Sequence, residues 1–209
     1  MIRILIADDH TIVRDGLRRL VAAEADMTIA GEAQNGVEVM EVVREKSVDV
    51  VLLDISMPGR NGLETLKELK RLHPSVSVII LSMHPKDQYA VRVLRAGASG
   101  YITKESAPEE LILAIRKAFA GEKFISPDVA ELLAEYVERG ETGEPHLVLS
   151  DREFEVFRKI AQGKTVTQIS KELFLSVKTV STYRTRVVEK TGLTTNAAIV
   201  QYCRDHKIV

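Results

Sequence analysis

Five short apolar runs, rich in β-branched residues, alternate with amphipathic segments along the first 120 residues. The runs lie at 3–7, 27–30, 48–53, 76–81 and 100–102. The segments between and after them carry apolar residues at helical spacing, at 11–23, 37–45, 63–72, 88–96 and 108–120. Nearly continuous apolar runs are typical of strands covered on both faces. Five successive βα units therefore predict an α/β domain with a parallel, doubly wound sheet and right-handed crossovers.

A different pattern follows residue 121. Residues 127–139 read as one acidic helix, and residues 140–145 form a Gly-, Glu- and Pro-rich stretch typical of a linker. From residue 149 the pattern is entirely helical, with segments at 151–162, 166–173, 177–191 and 196–206. We therefore predict one domain at 1–121, a linker with a helix at 122–146, and a smaller all-α domain of four helices at 147–209.

Charge is divided unevenly between the two parts of this 209-residue chain. Its formal net charge is -1, but residues 145–209 hold 11 Lys/Arg and 6 Asp/Glu, a net of +5. A small basic module joined to a larger acidic one indicates contact with nucleic acid, although chance surface charge would produce the same count. The charge pattern alone leaves both interpretations open.

Cysteine content and hydropathy argue against a disulfide-linked, zinc-binding, membrane-spanning or secreted protein. The single cysteine, Cys203, cannot close an intramolecular disulfide, and no Cys/His cluster has the spacing of a zinc site. No apolar run approaches the roughly 20 residues that a membrane helix needs. The N-terminus also lacks the uncharged core of a signal peptide. We therefore expect a cytoplasmic protein that does not bind membranes.

Polar side chains follow four of the predicted strands, at the carboxyl ends where open α/β sheets bind ligands. Asp8 and Asp9 follow the first strand, Asp54 the third, Ser82 the fourth and Lys104 the fifth. In a flavodoxin-like order these strands are neighbours, so the side chains can converge on one pocket. Clustered carboxylates suit Mg²⁺, which prefers oxygen ligands. Asp54 could then attack a phosphoryl group while Mg²⁺ and Lys104 neutralise the charge on its oxygens.

Each of these residues also has an ordinary structural role. Asp8 and Asp9 could simply cap the first helix. Lys104 could be a solvated lysine, and Ser82 a loop hydroxyl. Their common position at one edge of one sheet favours the functional interpretation.

These motifs, taken in order, resemble the receiver domain of response regulators. The matching residues are Asp8-Asp9, Asp54 with Met57-Pro58, Ser82, and the run from Tyr101 to Lys104. The resemblance covers residues 1–120 and implies that Asp54 is the phosphoacceptor. It also implies that Asp9 and Asp54 bind Mg²⁺ through their side chains. Ser56 would add its backbone carbonyl, and Asp8 would act through water.

The same resemblance implies a switch next to the phosphoacceptor. Ser82 and Lys104 would contact the phosphoryl group. Ser82 would move toward it while Tyr101 turns inward, altering the surface of the last two βα units. Position alone would instead make Tyr101 a half-buried strand aromatic.

The helix predicted at 177–191 follows the helix at 166–173 after a short turn, and Ser176 is placed to cap it. Val180, Val187 and Val188 share one face, where Ile169 of the preceding helix could pack. The opposite face is polar and basic, as in a recognition helix, although an ordinary amphipathic surface helix has the same periodicity. The candidate DNA-binding residues are Lys178, Thr179, Ser181, Thr182, Tyr183, Arg184, Thr185 and Arg186.

Four motifs in this part resemble the LuxR-type helix-turn-helix domain, at 149–153, 169–173, 176–180 and 190–193. Two positions depart from that family, since Ser181 stands where a lysine is common and Tyr183 where a histidine is common. With the receiver-like part, this is the architecture of the NarL/FixJ family. The resemblance implies a transcription factor that a sensor histidine kinase phosphorylates. Such a protein forms a homodimer and binds inverted half-sites in double-stranded promoter DNA.

The last predicted helix, 196–206, would be the dimer surface by this resemblance. Its small and apolar residues equally suit the core of the domain, and we expect most of them to lie there. The residues concerned are Ala197, Ala198, Val200 and Gln201.

Two other functions remain as alternatives. A haloacid-dehalogenase-like phosphatase needs a second Asp two residues after its nucleophile, where this chain has Ser56, and the chain has no P-loop and no GxSxG nucleophile elbow. A vestigial receiver would leave a DNA-binding protein independent of phosphorylation, but the complete set of acidic, hydroxyl and lysine residues argues against it. We therefore expect a regulator and not an enzyme.

Overall fold

The chain divides into two compact units, Met1–Ala134 and Glu135–Val209. The structure is a computed structural model that describes residues 1–59, 61–83, 88–127, 129–131, 133–134, 145–206 and 208, with only the backbone of 88 and 89. Within this described part, no helix combines the length and the apolar character that crossing a membrane requires.

The first unit is built on one parallel sheet. Its strands are β1 (Ile2–Ala7), β2 (Met27–Ala33), β3 (Val50–Asp54), β4 (Ser77–Ser82), β5 (Gly100–Thr103) and β6 (Phe124–Ile125). They lie in the order β2-β1-β3-β4-β5-β6, and every neighbouring pair is parallel. The helices are α1 (Thr11–Ala22), α2 (Gly36–Glu45), α3 (Gly62–Leu72), α4 (Gln88–Arg95) and α5 (Pro108–Phe119). The predicted flavodoxin-like order is confirmed.

Helices cover both faces of this sheet, which explains why its strands are almost continuously apolar. On one face Ile4, Leu52 and Ile102 join a buried cluster with residues of α1 and α5. Because side chains alternate along a strand, Leu5 and Leu53 point to the other face, where α2 and α3 contact the neighbouring strands. The carboxyl ends of β1, β3, β4 and β5 consequently meet at one edge.

Two features of the sheet differ from the predicted elements. β2 continues to Ala33, because its last three residues pair with the end of β1 after a shift in register. Phe124 and Ile125, inside the predicted linker, form β6 beside β5. Residues 127, 129–131 and 133–134 are helical. The rest of the predicted helix 127–139 and residues 140–144 of the predicted linker lie outside the described residues.

The second unit is helical, as predicted. A 3-10 helix (Pro145–Val148) precedes α6 (Asp151–Ala161), α7 (Val166–Glu172), α8 (Val177–Thr191) and α9 (Asn196–Asp205). Capping boxes begin α6 and α7, and the predicted cap of α8 is confirmed, since the Ser176 hydroxyl accepts a hydrogen bond from Thr179 N at 3.0 Å. Phe154, Phe157, Ile169 and Val187 are central members of the core.

Candidate functional site

Lys104 lies between two carboxylates at the carboxyl edge of the sheet. Its Nζ is 2.7 Å from Asp8 Oδ2 and 2.9 Å from Asp54 Oδ2. The backbone N–H of Lys104 donates to the Ser82 carbonyl at 2.7 Å, which joins the ends of β4 and β5. The structure thus brings together Asp8, just after β1, Asp54 at the end of β3 and Lys104, just after β5, as the strand order predicts.

The cluster is buried, and its charges do not balance. The side chain of Asp8 is 0% exposed and that of Lys104 is 7% exposed. Burial raises the pKa of Asp54, and the nearby Asp8 adds to this, while Lys104 opposes it. For Lys104, burial alone would lower the pKa, but Asp54 and Asp8 raise it above its ordinary value. Two of the carboxylates, Asp8 and Asp54, share the Lys104 ammonium group, while the third, Asp9, lies beside them against His10.

These residues fit a divalent cation. Asp8, Asp9, His10 and Asp54 each offer one ligand atom, and these atoms lie within 4.8 Å of one another. Carboxylate oxygens are the ligands that Mg²⁺ prefers, and a bound cation would balance the excess negative charge. The chemistry of the donor set therefore suits the predicted metal.

The loop after Asp54 is packed tightly against the site. The Ser56 N–H donates to Asp54 Oδ1 at 3.2 Å, so the exposed Ser56 has its backbone beside the carboxylate. A Cβ atom added at Gly62 would lie 2.3 Å from the Asp54 carbonyl oxygen, and therefore only glycine fits there. The sequence gives no signal for this close approach, because it depends on how the chain returns to Asp54.

Arg14 of α1 is a second residue that sequence reasoning missed. Its buried guanidinium donates from Nη1 to the Asp8 carbonyl at 2.7 Å and pairs through Nε with Glu32 at 3.3 Å. Arg14 therefore holds the backbone of Asp8 in place. The available signal was an arginine in line with the apolar Leu17 and Val21 on the buried face of α1.

The two remaining residues of the predicted switch, Ser82 and Tyr101, are both buried. Tyr101 is only 1% exposed, so the half-buried alternative is wrong. It lies in β5 opposite Ile80 of β4 and Ile125 of β6. Its inward position is consistent with the predicted switch, whose motion stays a prediction.

In the second unit, α8 presents a polar face. Val180 and Val187 are buried, and Val188 is half-buried. Five of the eight candidate DNA-binding residues are exposed, namely Lys178, Ser181, Thr182, Thr185 and Arg186. The other three, Thr179, Tyr183 and Arg184, are half-buried.

Two threonines and one arginine of this face have fixed orientations. The Thr182 hydroxyl donates to the Lys178 carbonyl at 3.0 Å, and the Thr185 hydroxyl donates to the Ser181 carbonyl at 3.1 Å. Arg184 donates from Nη2 to Asn196 Oδ1 at 3.1 Å. Both hydroxyl protons are used inside the helix, so these exposed threonines can offer their hydroxyl oxygens to a partner only as acceptors.

The prediction that most of four residues of the last helix, α9, lie in the core of the domain is wrong. Ala197 and Gln201 are exposed, and Ala198 and Val200 are half-buried. Ile199 and Cys203 are instead the α9 residues in the core. None of the four residues considered for the core is therefore fully buried.

Comparisons with known proteins agree with this architecture. Residues 4–116 match the response regulator receiver domain, and residues 147–203 match the bacterial regulatory proteins of the luxR family. The response regulator GacA of Pseudomonas aeruginosa is 38% identical over 210 residues, covering 100% of this chain and 98% of that protein. The response regulator UvrY of Escherichia coli is 38% identical over 194 residues, covering 92% and 89%.

Solved structures are similar over both units. RcsB from Salmonella enterica serovar Typhimurium, bound to the rprA promoter with the phosphomimetic BeF3⁻, has a TM-score of 0.66 and 29% identity, covering 98% of this chain and 99% of that one. An RcsB–DNA complex has a TM-score of 0.62 and 30% identity, covering 97% and 98%. This chain therefore belongs to the NarL/FixJ family of two-component response regulators, which join a receiver domain to a LuxR-type DNA-binding domain.

Proposed function

We propose that Asp54 accepts a phosphoryl group from a sensor histidine kinase. The observation that carries this proposal is the buried contact of Asp54 with Lys104, 2.9 Å apart, beside two further aspartates. A carboxylate oxygen of Asp54 attacks phosphorus, an O–P bond forms, and the bond between phosphorus and the donor breaks. The product is an acyl phosphate on Asp54.

Lys104 and a bound Mg²⁺ support this transfer. The Lys104 ammonium neutralises charge on the transferring oxygens from inside the pocket. Asp9, Asp54 and the Ser56 carbonyl would hold Mg²⁺ directly, and Asp8 through water. When bound, the ion supplies charge stabilisation to the phosphoryl oxygens.

The phosphorylated site acts as a switch and not as the active site of an enzyme. Phosphorylation adds about -1.5 to -2 charge and new acceptor oxygens to Asp54. Ser82 and Lys104 contact these oxygens, and Tyr101, already buried in β5, is held inward. The altered surface of the last βα units then favours a homodimer.

DNA binding belongs to the second unit. Lys178 and Arg186 are exposed on α8 and bind phosphates, while Thr182 and Thr185 present acceptor oxygens to base edges, where adenine and cytosine carry amino donors. Ser181 also faces outward, with Thr179, Tyr183 and Arg184 at the margin. A dimer would place two such helices on inverted half-sites of double-stranded DNA.

The domain division that we propose is a receiver at 1–121, a linker with a helix at 122–146 and a helix-turn-helix domain at 147–209. The family matches at 4–116 and 147–203 support it. We place the protein in the cytoplasm, where a bacterial regulator meets its DNA.

Treatment of the full chain with acetyl phosphate and Mg²⁺ tests the switch. We expect a mass gain of one phosphate, removed by neutral hydroxylamine as an acyl phosphate should be, and a shift toward dimer in sedimentation. Because the cation must balance three carboxylates, excess EDTA should suppress the gain. A gain that resists hydroxylamine would contradict an acyl phosphate, and a gain that persists in EDTA would contradict the metal site.

Removal of one positive charge from α8 tests the DNA surface. Lys178→Ala and Arg186→Ala should each weaken binding to all sequences and lower the slope of log affinity against log salt by about 1, since each loses one phosphate contact. Lys159→Ala is the matched control, because Lys159 lies on α6 and pairs with Glu172 at 2.6 Å. If all three variants bind as the wild type does, α8 is not the interface.

A further inference from the structure

His10 directs a ring nitrogen at the acidic cluster. Its Nδ1 lies 2.9 Å from Asp9 Oδ1 and 3.1 Å from Asp8 Oδ1. The ring is 63% exposed, so packing in the core does not account for its orientation. His10 also precedes the first turn of α1 as the N-cap residue, yet its side chain makes no capping hydrogen bond.

The backbone holds His10 in this place. Its N–H donates to Asp8 Oδ1 at 2.8 Å, and Arg14 fixes the Asp8 carbonyl from α1. Residues 8–10 therefore form a short segment whose backbone and side chains are oriented together. A histidine at this position reaches the carboxylates without a change of backbone conformation.

The ligand atoms are close enough to share one ion. One atom each from Asp8, Asp9, His10 and Asp54 lies within 4.8 Å of the others. Ligands about 2.2 Å from a common ion lie at most about 4.4 Å apart, so a small movement of the exposed His10 ring would let its Nδ1 join an ion held by Asp9 and Asp54.

We propose that His10 Nδ1 is a metal ligand, so that this site binds Mn²⁺ and related first-row divalent ions more tightly than its carboxylates alone would. Imidazole nitrogen suits transition metals, whereas Mg²⁺ keeps oxygen ligands. The proposal rests on the proposed Mg²⁺ site and adds a nitrogen donor to it. His10 thereby sets which divalent ion the phosphorylation site prefers.

The competing arrangement is a hydrogen bond alone. If Nδ1 carries a proton, it donates to Asp8 and Asp9 and cannot bind a metal at the same time. Metal binding requires the neutral tautomer with the proton on Nε2, and the exposed ring leaves Nε2 free to bind water. The two arrangements can be told apart by experiment, because only metal binding places the His10 nitrogen on the ion.

Pulsed electron paramagnetic resonance on the Mn²⁺-loaded full chain measures that nitrogen directly. We expect imidazole ¹⁴N coupling in the wild type, and its loss in His10→Asn. His73→Asn is the matched control, since His73 follows α3 at the opposite end of the sheet and should leave the coupling in place.

A titration in which Mn²⁺ and Mg²⁺ compete for the site provides a second test. The ratio of Mn²⁺ affinity to Mg²⁺ affinity should fall about tenfold or more in His10→Asn and stay unchanged in His73→Asn. If Mn²⁺ binds to the wild type without ¹⁴N coupling, the His10 inference is overturned while the acidic site stands. If neither ion binds to the wild type, the metal site of the proposed function fails as well.

Discussion

Replacement of Asp54 by Asn is expected to abolish phosphate uptake from acetyl phosphate and Mg²⁺. The amide nitrogen and oxygen of Asn do not form a stable acyl phosphate, and the variant removes one of three carboxylates from the cluster. Intact-protein mass should show no gain, and sedimentation should show no shift toward dimer. Asp15→Asn is the control, because Asp15 is an exposed α1 carboxylate paired with Arg18, and it should take up phosphate as the wild type does.

The Asp54→Asn variant should keep its fold. Asn has nearly the shape of Asp, and the ion pair between Lys104 and Asp8 at 2.7 Å remains. Burial raises the pKa of Asp54, which means that the folded chain disfavours its charge, so the free energy of unfolding should be no lower than in the wild type. An Asp54→Asn variant that gains phosphate at the wild-type rate would remove Asp54 as the acceptor.

Replacement of Lys104 by Met is expected to lower the free energy of unfolding by about 3 kcal/mol at neutral pH. The reason is that Asp8 and Asp54 would then be buried without their cation, and removal of one partner from a buried pair is costly. Urea unfolding at several pH values and Mg²⁺ concentrations measures the effect. Millimolar Mg²⁺ should restore part of the loss, because an ion that binds only the folded chain stabilises it.

The loss in Lys104→Met should become smaller in acid. A carboxyl group whose pKa rises on folding stabilises the folded chain while the group is protonated. This stabilisation is lost as the pH rises through the pKa of the group in the folded chain. Without Lys104 to oppose burial, the pKa of Asp54 stays raised, so the variant should regain stability as the pH falls through that raised value toward the ordinary 3.8.

Lys70→Met is the matched control for this experiment. Lys70 is half-buried and donates from Nζ to the Val76 carbonyl at 2.7 Å. Its loss removes one hydrogen bond and should cost about 1 kcal/mol, with no dependence on Mg²⁺. If Lys104→Met and Lys70→Met respond alike to Mg²⁺ and pH, the buried charge cluster is not the cause.

The convergence of the site residues could be predicted because it follows from the order of elements along the chain. Alternating apolar runs and helices require a parallel sheet, and a parallel sheet places the residues after its strands at one edge. The strand order alone therefore places Asp8, Asp54 and Lys104 together. Ser176 could be predicted as a cap for a similar reason, since its hydrogen bond reaches only three residues ahead.

Residues whose role depends on a neighbour far away in the sequence were not predicted. Gly62 is required because the backbone of Asp54 passes within 2.3 Å of its missing Cβ, and Arg14 matters through Asp8 and Glu32. β6 is only two residues long, too short for a periodic signal, and exists because β5 offers it an edge. In α9, the small and apolar character of the side chains favoured the core for most of four residues, but Ala197 and Gln201 are exposed.

The sequence by itself determined the fold class, the candidate phosphoacceptor and the helix with the polar, basic face, because each follows from periodicity, from strand ends or from caps within one turn. Only the tertiary structure decided how deeply Tyr101 is buried, which carboxylates pair with Lys104, and that His10 turns toward them. Burial and ion pairing depend on atoms brought together from separate strands and helices. Their energies arise only when those elements pack.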